Sequence, residues 1–269
     1  MTEPAVEHIA LVSVANFRDV GGWRTVDGRR VATGRLFRSA ALDKASDADR
    51  AYLVGLGIRT VYDLRSEAEA EAQPDPVIDG VRGVHLDVLA DAMSVSAPAN
   101  LDKVLADPIA VAAANDKLAD GSGIERMIEA YRELVNLPSA LNSYQAFFRG
   151  LLDGTPALFH CTAGKDRTGW AAAAFLTLMG VGRDGVYGDY LLTNDLFLPA
   201  IASVFDGFEA AGGNPDLLRP LLGVQEAYLD AAFAEVDQRF GTIENYFAEG
   251  LGIDAAAQDA LRHRFLDAG

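Results

Sequence analysis

The chain has 269 residues, half of them hydrophobic, with a net charge of −16 and a single cysteine. This length and apolar content suit one globular domain, residues 1–269, with a full core. The acidic balance, with no basic run, excludes broad nucleic-acid binding; the lone cysteine excludes an internal disulfide, and the scattered His8, His85, His160 and His263 suggest neither a metal site nor another cofactor.

In chain order, Met1–Ala10 has two glutamates and no basic segment, so no secretory signal is expected, and Ile9–Val14 reads as a first short strand. Further strands are expected at Leu36–Arg38, Ile58–Leu64, Val84–Val88 and Ala157–His160, with helical patterns between several of them. Ser46 reads as the cap of a helix that ends at Gly57 and feeds the strand carrying Asp63 and Arg65. Residues 90–123 form a variable segment, and its Ala- and Asp-rich part, Asn100–Ser122, reads as a mobile surface insertion. Ile124–Leu137 and Pro138–Leu152 read as two helices. After an apolar helix over Trp170–Met179 come helices at Arg183–Thr193 and Asp195–Ala211, then a break at Gly212-Gly213-Asn214-Pro215. Residues 195–220 carry Leu196, Phe197, Leu198, Ile201, Val204, Phe205 and Phe208, which either form a two-helix lid over the site or join the core. The longest apolar stretch, Trp170–Met179, is too short to cross a bilayer, so no integral membrane segment is expected. Strands alternating with helices predict an α/β layer fold.

The chemistry concentrates at one strand-to-helix junction, His160-Cys161-Thr162-Ala163-Gly164-Lys165-Asp166-Arg167-Thr168-Gly169. A turn that opens onto a helix N-terminus aims backbone N–H groups at one point, and these with the helix dipole favour an anion there, whether a thiolate or a phosphate. Cys161 is then the nucleophile. Arg167 offers a planar, permanently charged fork for two phosphoryl oxygens. The five residues between them let the loop curl so that successive amides surround the oxygens, with Gly164 at the bend. Thr168 has a hydroxyl that can turn toward the sulfur, and Gly169 permits close helix packing. His160 either packs and orients the loop or tunes the thiol.

The string Cys, five residues, Arg, Thr, with the preceding His and following Gly, resembles the phosphate-binding loop of the protein tyrosine phosphatase superfamily. The in-loop pair Lys165-Asp166, together with Asn16-Phe17-Arg18-Asp19-Val20-Gly21-Gly22, resembles the atypical bacterial protein tyrosine phosphatase family typified by mycobacterial tyrosine phosphatase B. Gly34 to Ser39, Asp63 to Ser66, Asp189 to Leu191, Asn194-Asp195 and Gly223 to Leu229 are similar to further segments of that family, whereas residues 90–122 align with little of it. The resemblance implies the Cys-x5-Arg phosphatase fold: a short, mostly parallel sheet flanked by helices, with a helical lid insertion. It also implies metal-independent hydrolysis of phosphotyrosine, and of phosphoserine or phosphothreonine in addition, through a phosphocysteine. Asp63 and Arg65 would support the loop from the neighbouring strand, and Asn16, Arg18, Asp19 and Arg38 would do likewise, unless they form ordinary surface ion pairs.

Ester cleavage needs a proton for the leaving oxygen, and Asp166 is the favoured donor, with Asp91 and Asp87 as rivals. Turned outward, Asp166 would instead pair with a cation such as Lys165 or Arg65. Lys165 is either a solvated lip residue or a second charge for substrate; it matches a position in the tensin-type phosphoinositide phosphatase loop, although Thr162 stands where that loop has its first lysine. The expected partners are therefore a phosphorylated protein or a phosphoinositide. A main activity on phosphoinositides, or non-catalytic phosphate binding, are the alternative readings. The expected location is the cytoplasm, or outside the cell without a recognisable signal peptide.

Overall fold

The computed structural model describes residues 11–92 and 108–267; the start of the expected strand Ile9–Val14, and residues 93–107 of the variable segment, lie outside them. Five short strands form one sheet: β1 (Arg18–Asp19), β2 (Leu36–Ser39), β3 (Thr60–Asp63), β4 (Arg82–His85) and β5 (Ala157–His160), in the order β1-β2-β5-β3-β4. Only β1 is antiparallel to its neighbour; the remaining pairs are parallel. Two expectations shift. Residues 11–14 are not strand, and Val14 is instead buried in irregular backbone beside Phe17, so the edge strand forms later, where Arg18 pairs with Arg38. The fourth strand sits two residues earlier than expected, in register with β3 from Thr60↔Arg82 to Asp63↔His85.

The three inner strands are apolar on both faces because both are covered. Leu36, Tyr62, Ala157 and Phe159 pack into the larger core, while Phe37, Val61 and Leu158 pack with Val14, Phe17, Leu53 and Ile58 on the other side. Such unbroken apolar runs are what a parallel sheet between two layers requires. On the second face lies α1 (Asp47–Gly55), whose N-cap Ser46 accepts from the Asp49 amide at 3.1 Å. The larger core is built by α4 (Ser122–Asn136), α5 (Pro138–Gly150), α6 (Arg167–Leu178), α7 (Arg183–Phe197), α9 (Glu226–Phe240) and α10 (Ala255–Phe265); α2 (Glu67–Ala72), α3 (Pro108–Ala119) and α8 (Ala202–Ala210) complete the set of named helices. Helix α6 is buried all round, and its run Ala171 to Ala174 lets neighbours approach closely.

Within the expected surface insertion, α3 is regular structure: Val111 is fully buried against Phe208 and Leu218. Its alanines and Val111 give it an apolar face that Phe208 of α8 covers. Residues 195–220 break at a 3-10 turn, Leu198–Ile201, set by Pro199. Val204, Phe205 and Phe208 form this satellite cluster with α3, apart from the main core. The longer apolar run is Arg183–Ala210, not Trp170–Met179: by length and composition it could cross a bilayer, with a best-window hydropathy of 1.2. Asp189 within that run is buried and ion-paired to Arg18 and Arg38, which ties it into the protein.

Strand β5 is the middle of the sheet, with Ser39 of β2 and Asp63 of β3 level with His160. The chain leaves β5 at this shared carboxyl edge and enters α6, the place where open α/β sheets hold ligands. Behind the junction Asp189 of α7 bridges the two arginines. Burial brings Arg18 down to about 10, reinforced by the like charge of Arg38 and opposed by Asp189. Burial pushes Asp189 up, but the two arginines outweigh it and hold the carboxyl below its ordinary range. Removing the carboxylate would leave two buried cations facing each other. Asp189→Asn is expected to cost about 3–5 kcal/mol, seen as a lower urea midpoint while the variant keeps a native far-ultraviolet spectrum in buffer.

Candidate active site

A loop that turns its amides toward a central point must turn its carbonyls outward, and buried carbonyls need donors. The donors are present around residues 161–167. The Cys161 carbonyl lies 3.2 Å from Nδ1 of His160, and the Thr162 carbonyl accepts from the Ala41 amide at 3.1 Å. Asn16 Nδ2 donates to the carbonyls of Ala163 (2.9 Å) and Gly164 (3.0 Å), and Arg38 Nη2 donates to Gly164 at 2.8 Å. Tyr144 of α5 donates to the Arg167 carbonyl at 3.0 Å. Asn16 holds a left-handed φ of 60°, which asparagine tolerates, and Arg18 pins its amide oxygen, so its NH₂ faces the loop. Gly164 is the bend: φ is +67°, and a Cβ there would lie 2.2 Å from the Ser39 carbonyl.

Inside this frame Cys161 is 2 % exposed at the end of β5, and Arg167 opens α6. Arg167 Nη1 and Nη2 donate to the two oxygens of Glu69 at 2.6 and 2.9 Å. Glu69 Oε1 also accepts from Thr162 Oγ1 at 2.6 Å, and Oε2 from the Ser66 amide at 2.9 Å. Burial alone would push the Glu69 carboxyl up; Arg167, Thr162 and the Ser66 amide hold it far below the usual range. The pairing is end-on and leaves Arg167 Nε without a partner among the described residues. Nε and the second N–H of Nη2 form the edge that pairs side-on with two phosphoryl oxygens. Thr168 Oγ1 is buried with no hydrogen-bond partner, so the expected bond to the sulfur is not made in this geometry.

Asp166 turns to Lys165, whose Nζ lies 2.8 Å from Oδ2 and 3.0 Å from Oδ1 and also approaches the Gly223 carbonyl at 3.4 Å. Lys165 is thus 7 % exposed, not a solvated lip residue. Tyr131 of α4 donates to Asp166 Oδ1 at 2.9 Å. Neither rival carboxylate bonds to the loop: Asp87 accepts from the amides of Glu67 and Leu89, and Asp91 is taken by the amide and hydroxyl of Ser139 at the start of α5. Asp19 likewise serves its own turn, accepting from the Gly21 and Gly34 amides, and does not touch the loop.

Asp63 and Arg65 act one step removed. Arg65 Nη2 contacts Asp63 (2.7 Å) and Asp75 (3.1 Å), and Asp75 Oδ2 lies 2.9 Å from His160 Nε2. Burial raises Asp63, but the Arg65 hydrogen bonds and the neighbouring His160 bring it below the ordinary value. Asp63, Asp75 and His160 place one potential ligand atom each within 4.8 Å, a cluster the scattered histidines did not suggest. The Arg65 guanidinium already sits on both carboxylates and supplies the cation they need. A cavity of about 360 Å³ opens beside this cluster, between β3, β4 and residues 74–78, and none of residues 161–168 lines it.

Sequence reasoning missed Glu69, Asp75, Tyr131 and Tyr144. Glu69 had a visible signal, the Ser66-x-x-Glu69 capping box at the start of α2, but that pattern speaks of a helix start and not of Arg167.

A cysteine at a strand end, a curled loop whose carbonyls are met from outside and a clamped arginine lie together at the carboxyl edge of the sheet. The chain matches the model of the tyrosine phosphatase family over residues 9–267. A Cupriavidus necator protein bearing a tyrosine-protein phosphatase name is 31% identical over 260 residues, 92% of this chain and 85% of that one. The triple specificity protein phosphatase PtpB of Mycobacterium tuberculosis is 32% identical over 245 residues, 84% of this chain and 88% of its own. Among solved structures, P. aeruginosa TpbA aligns with 76% of this chain and 90% of its own at 17% identity and a TM-score of 0.30. Matched from one end of its described fold to the other, the chain belongs to the tyrosine phosphatase family and is a hydrolase.

Proposed function

We propose that this phosphatase works through a phosphocysteine formed on Cys161, without a metal, on phosphotyrosine and on phosphoserine or phosphothreonine as well. The Cys161 thiolate attacks phosphorus, the sulfur–phosphorus bond forms as the ester P–O bond breaks, and Asp166 gives its proton to the leaving oxygen. Water then attacks the phosphocysteine, its proton passes to Asp166, and the thiolate leaves as inorganic phosphate departs. The observation that carries this reading is the end-on clamp of Arg167 by Glu69, which leaves the side-on edge of the guanidinium free, with Cys161 near enough for its charge to act on Arg167. Outward carbonyls from Cys161 to Gly164 support it, since a loop so held has its amides free for phosphoryl oxygens. Asp166 is the in-loop carboxylate, and its rivals Asp87 and Asp91 are engaged elsewhere.

A second reading extends the substrate range. Lys165 is a nearly buried cation inside the loop, held by Asp166 and a long contact to Gly223, and an incoming polyanion could take its ammonium. We read it as the residue that accepts a second phosphate, as on an inositol head, and the triple specificity in the name of the mycobacterial relative fits such breadth.

Phosphate release from phosphotyrosine, phosphoserine and phosphoinositide substrates, assayed in chelator, is expected for the native chain and lost in Cys161→Ser. Turnover surviving in that variant would end the cysteine mechanism. Glu69→Ala should lower kcat/KM on the order of a hundredfold through a misplaced guanidinium, with the fold kept by circular dichroism. Because the Glu69 carboxyl is depressed, the clamp is complete above about pH 4.3 and weakens only as pH falls toward the lowered folded value, so the Glu69→Ala deficit should be constant from pH 5 to 8. Lys165→Ala should impair phosphoinositide hydrolysis more than phosphotyrosine hydrolysis, and equal losses on both would remove the second reading.

A further inference from the structure

Three tyrosines from three helices cluster behind the in-loop carboxylate, and one of them bonds to it. Tyr131 comes from α4, Tyr190 from α7 and Tyr228 from α9, and all three are 0% exposed. Tyr190 donates its hydroxyl hydrogen to Tyr131 at 2.6 Å, and Tyr131 donates its own to Asp166 Oδ1 at 2.9 Å. The Tyr131 ring stands edge-on to Tyr190, centroids 6.1 Å apart, and is tilted against Tyr228 at 5.7 Å, so packing fixes where its hydroxyl points. Tyr228 does not join the chain: its hydroxyl is spent on the Pro220 carbonyl at 2.8 Å. Gly169 makes the arrangement possible, since a Cβ there would come within 3.1 Å of the Tyr190 ring.

The chain runs one way. For Asp166 to donate from Oδ1, Tyr131 would have to accept there and turn its hydrogen onto Tyr190, and Tyr190 has no second acceptor among the described residues. Leaving a buried hydroxyl without a partner is unfavourable, and the observed direction avoids it. Oδ1 is therefore held as an acceptor, while Oδ2 meets only Lys165. Burial raises Tyr131 and Tyr190 well above the ordinary phenol value, with the Asp166 charge adding to it, so both remain donors at any working pH.

We propose that Tyr131 and Tyr190 are positioning residues for Asp166: their hydroxyl chain commits Oδ1 to accepting, so that Oδ2 carries the proton exchanged with the leaving oxygen. The proposal rests on the reading of Asp166 as the acid. In the first step the Oδ2–H bond breaks and the proton goes to the leaving oxygen as its bond to phosphorus breaks. In the second the attacking water returns a proton to Oδ2. Lys165 leaves Oδ2 for the bound anion, which makes room for that proton. The groups facing Asp166 are Lys165 and Arg167 on its own segment, Tyr131 on α4, Tyr144 on α5, Tyr190 on α7 and Tyr228 on α9. All four tyrosines are raised above the ordinary phenol value by burial, so none of them sets an alkaline limb of kcat below pH 9.

The test compares Tyr131→Phe, Tyr190→Phe, Asp166→Asn and the double variant Tyr131→Phe/Asp166→Asn on a series of aryl phosphates with leaving phenols from acidic to weakly acidic, across pH 5 to 9. Tyr131→Phe should lower kcat about tenfold for the poorest leaving groups and little for the best. Its alkaline limb should move to higher pH, because a carboxylate that loses a donated hydrogen bond holds its proton more tightly. Tyr190→Phe should shift both readouts in the same direction by less, and the double variant should be no slower than Asp166→Asn alone. Equal losses across the series with an unmoved limb, or losses that multiply in the double variant, would overturn the positioning role while leaving Asp166 as the acid. Equal slowing of good and poor leaving groups by Asp166→Asn itself would remove the acid reading and the proposal with it. Thermal melts of each variant separate either result from simple unfolding.

Discussion

The constraint on which the site depends is the accounting of backbone hydrogen bonds in a loop turned inside out. Amides that converge on a phosphoryl group leave carbonyls facing the protein, where an unpaired one costs as much as a lost hydrogen bond. The chain meets this with buried side chains from outside the loop. Asn16 takes two carbonyls, Arg38 shares one of them, Tyr144 takes another, and the Ala41 amide takes a fourth. Two of these donors are themselves held: Arg18 fixes Asn16, and Asp189 fixes Arg18 and Arg38 together. The loop is therefore the visible end of a buried network that reaches back to Asp189 on α7.

The same network settles an electrostatic contradiction. A protein with a net charge of −16 has a long-range field that opposes phosphorylated substrates, yet it must hold one. Around the loop, the cations Arg18, Arg38, Lys165 and Arg167 face the carboxylates Asp189, Asp166 and Glu69, all wholly or largely buried. Within this interleaved set Arg167 and the N-terminus of α6 put positive charge directly at the loop. Surface charge more than about 10 Å away is screened at ordinary salt, whereas this buried set acts at contact. Recognition is local, and the acidic exterior is compatible with it.

Much of this was legible in the sequence where chemistry and spacing lie close together. Residues 160–169 carry cysteine, arginine and bend within ten positions, and the flanking apolar runs show the strand and helix that hold them. The short strands were legible from runs such as Leu36-Phe37 and Ala157-Leu158-Phe159, and their mostly parallel arrangement was implied by the family resemblance. Other features were hidden for physical reasons. Glu69 announced a helix cap, and nothing local distinguishes a glutamate that caps from one that caps and also grips an arginine 98 residues later. Asp75 lies in a Pro-Asp-Pro turn whose contact with His160 exists only after β3 and β5 pair. Tyr131 and Tyr190 sit where helical periodicity requires apolar rings, so their hydroxyls carried no signal. Val14 was misread because β-branched residues suit a strand and a buried coil equally when no partner strand can be seen.

These misses share a direction. The loop residues stand together in the sequence, while the side chains that hold them come from β1, β2, α2, α4, α5 and α7. The segment from Asp63 to Asp75 shows how much such holding demands: in thirteen residues it ends a strand, starts α2, grips Arg167 and Thr162 through Glu69, and closes on His160 through Asp75. Both ends of the loop are thus braced by one neighbouring segment, and the brace forms only when β3 lies against β5. Preorganisation of this kind has an energetic consequence. Buried arginines and a left-handed asparagine oppose folding singly and are tolerated together, because each satisfies a group the others leave open. The loop holds its shape because nearly every outward-facing polar atom in it already has a partner, and what stays open, the Arg167 edge and the inward amides, is what a phosphoryl group can fill.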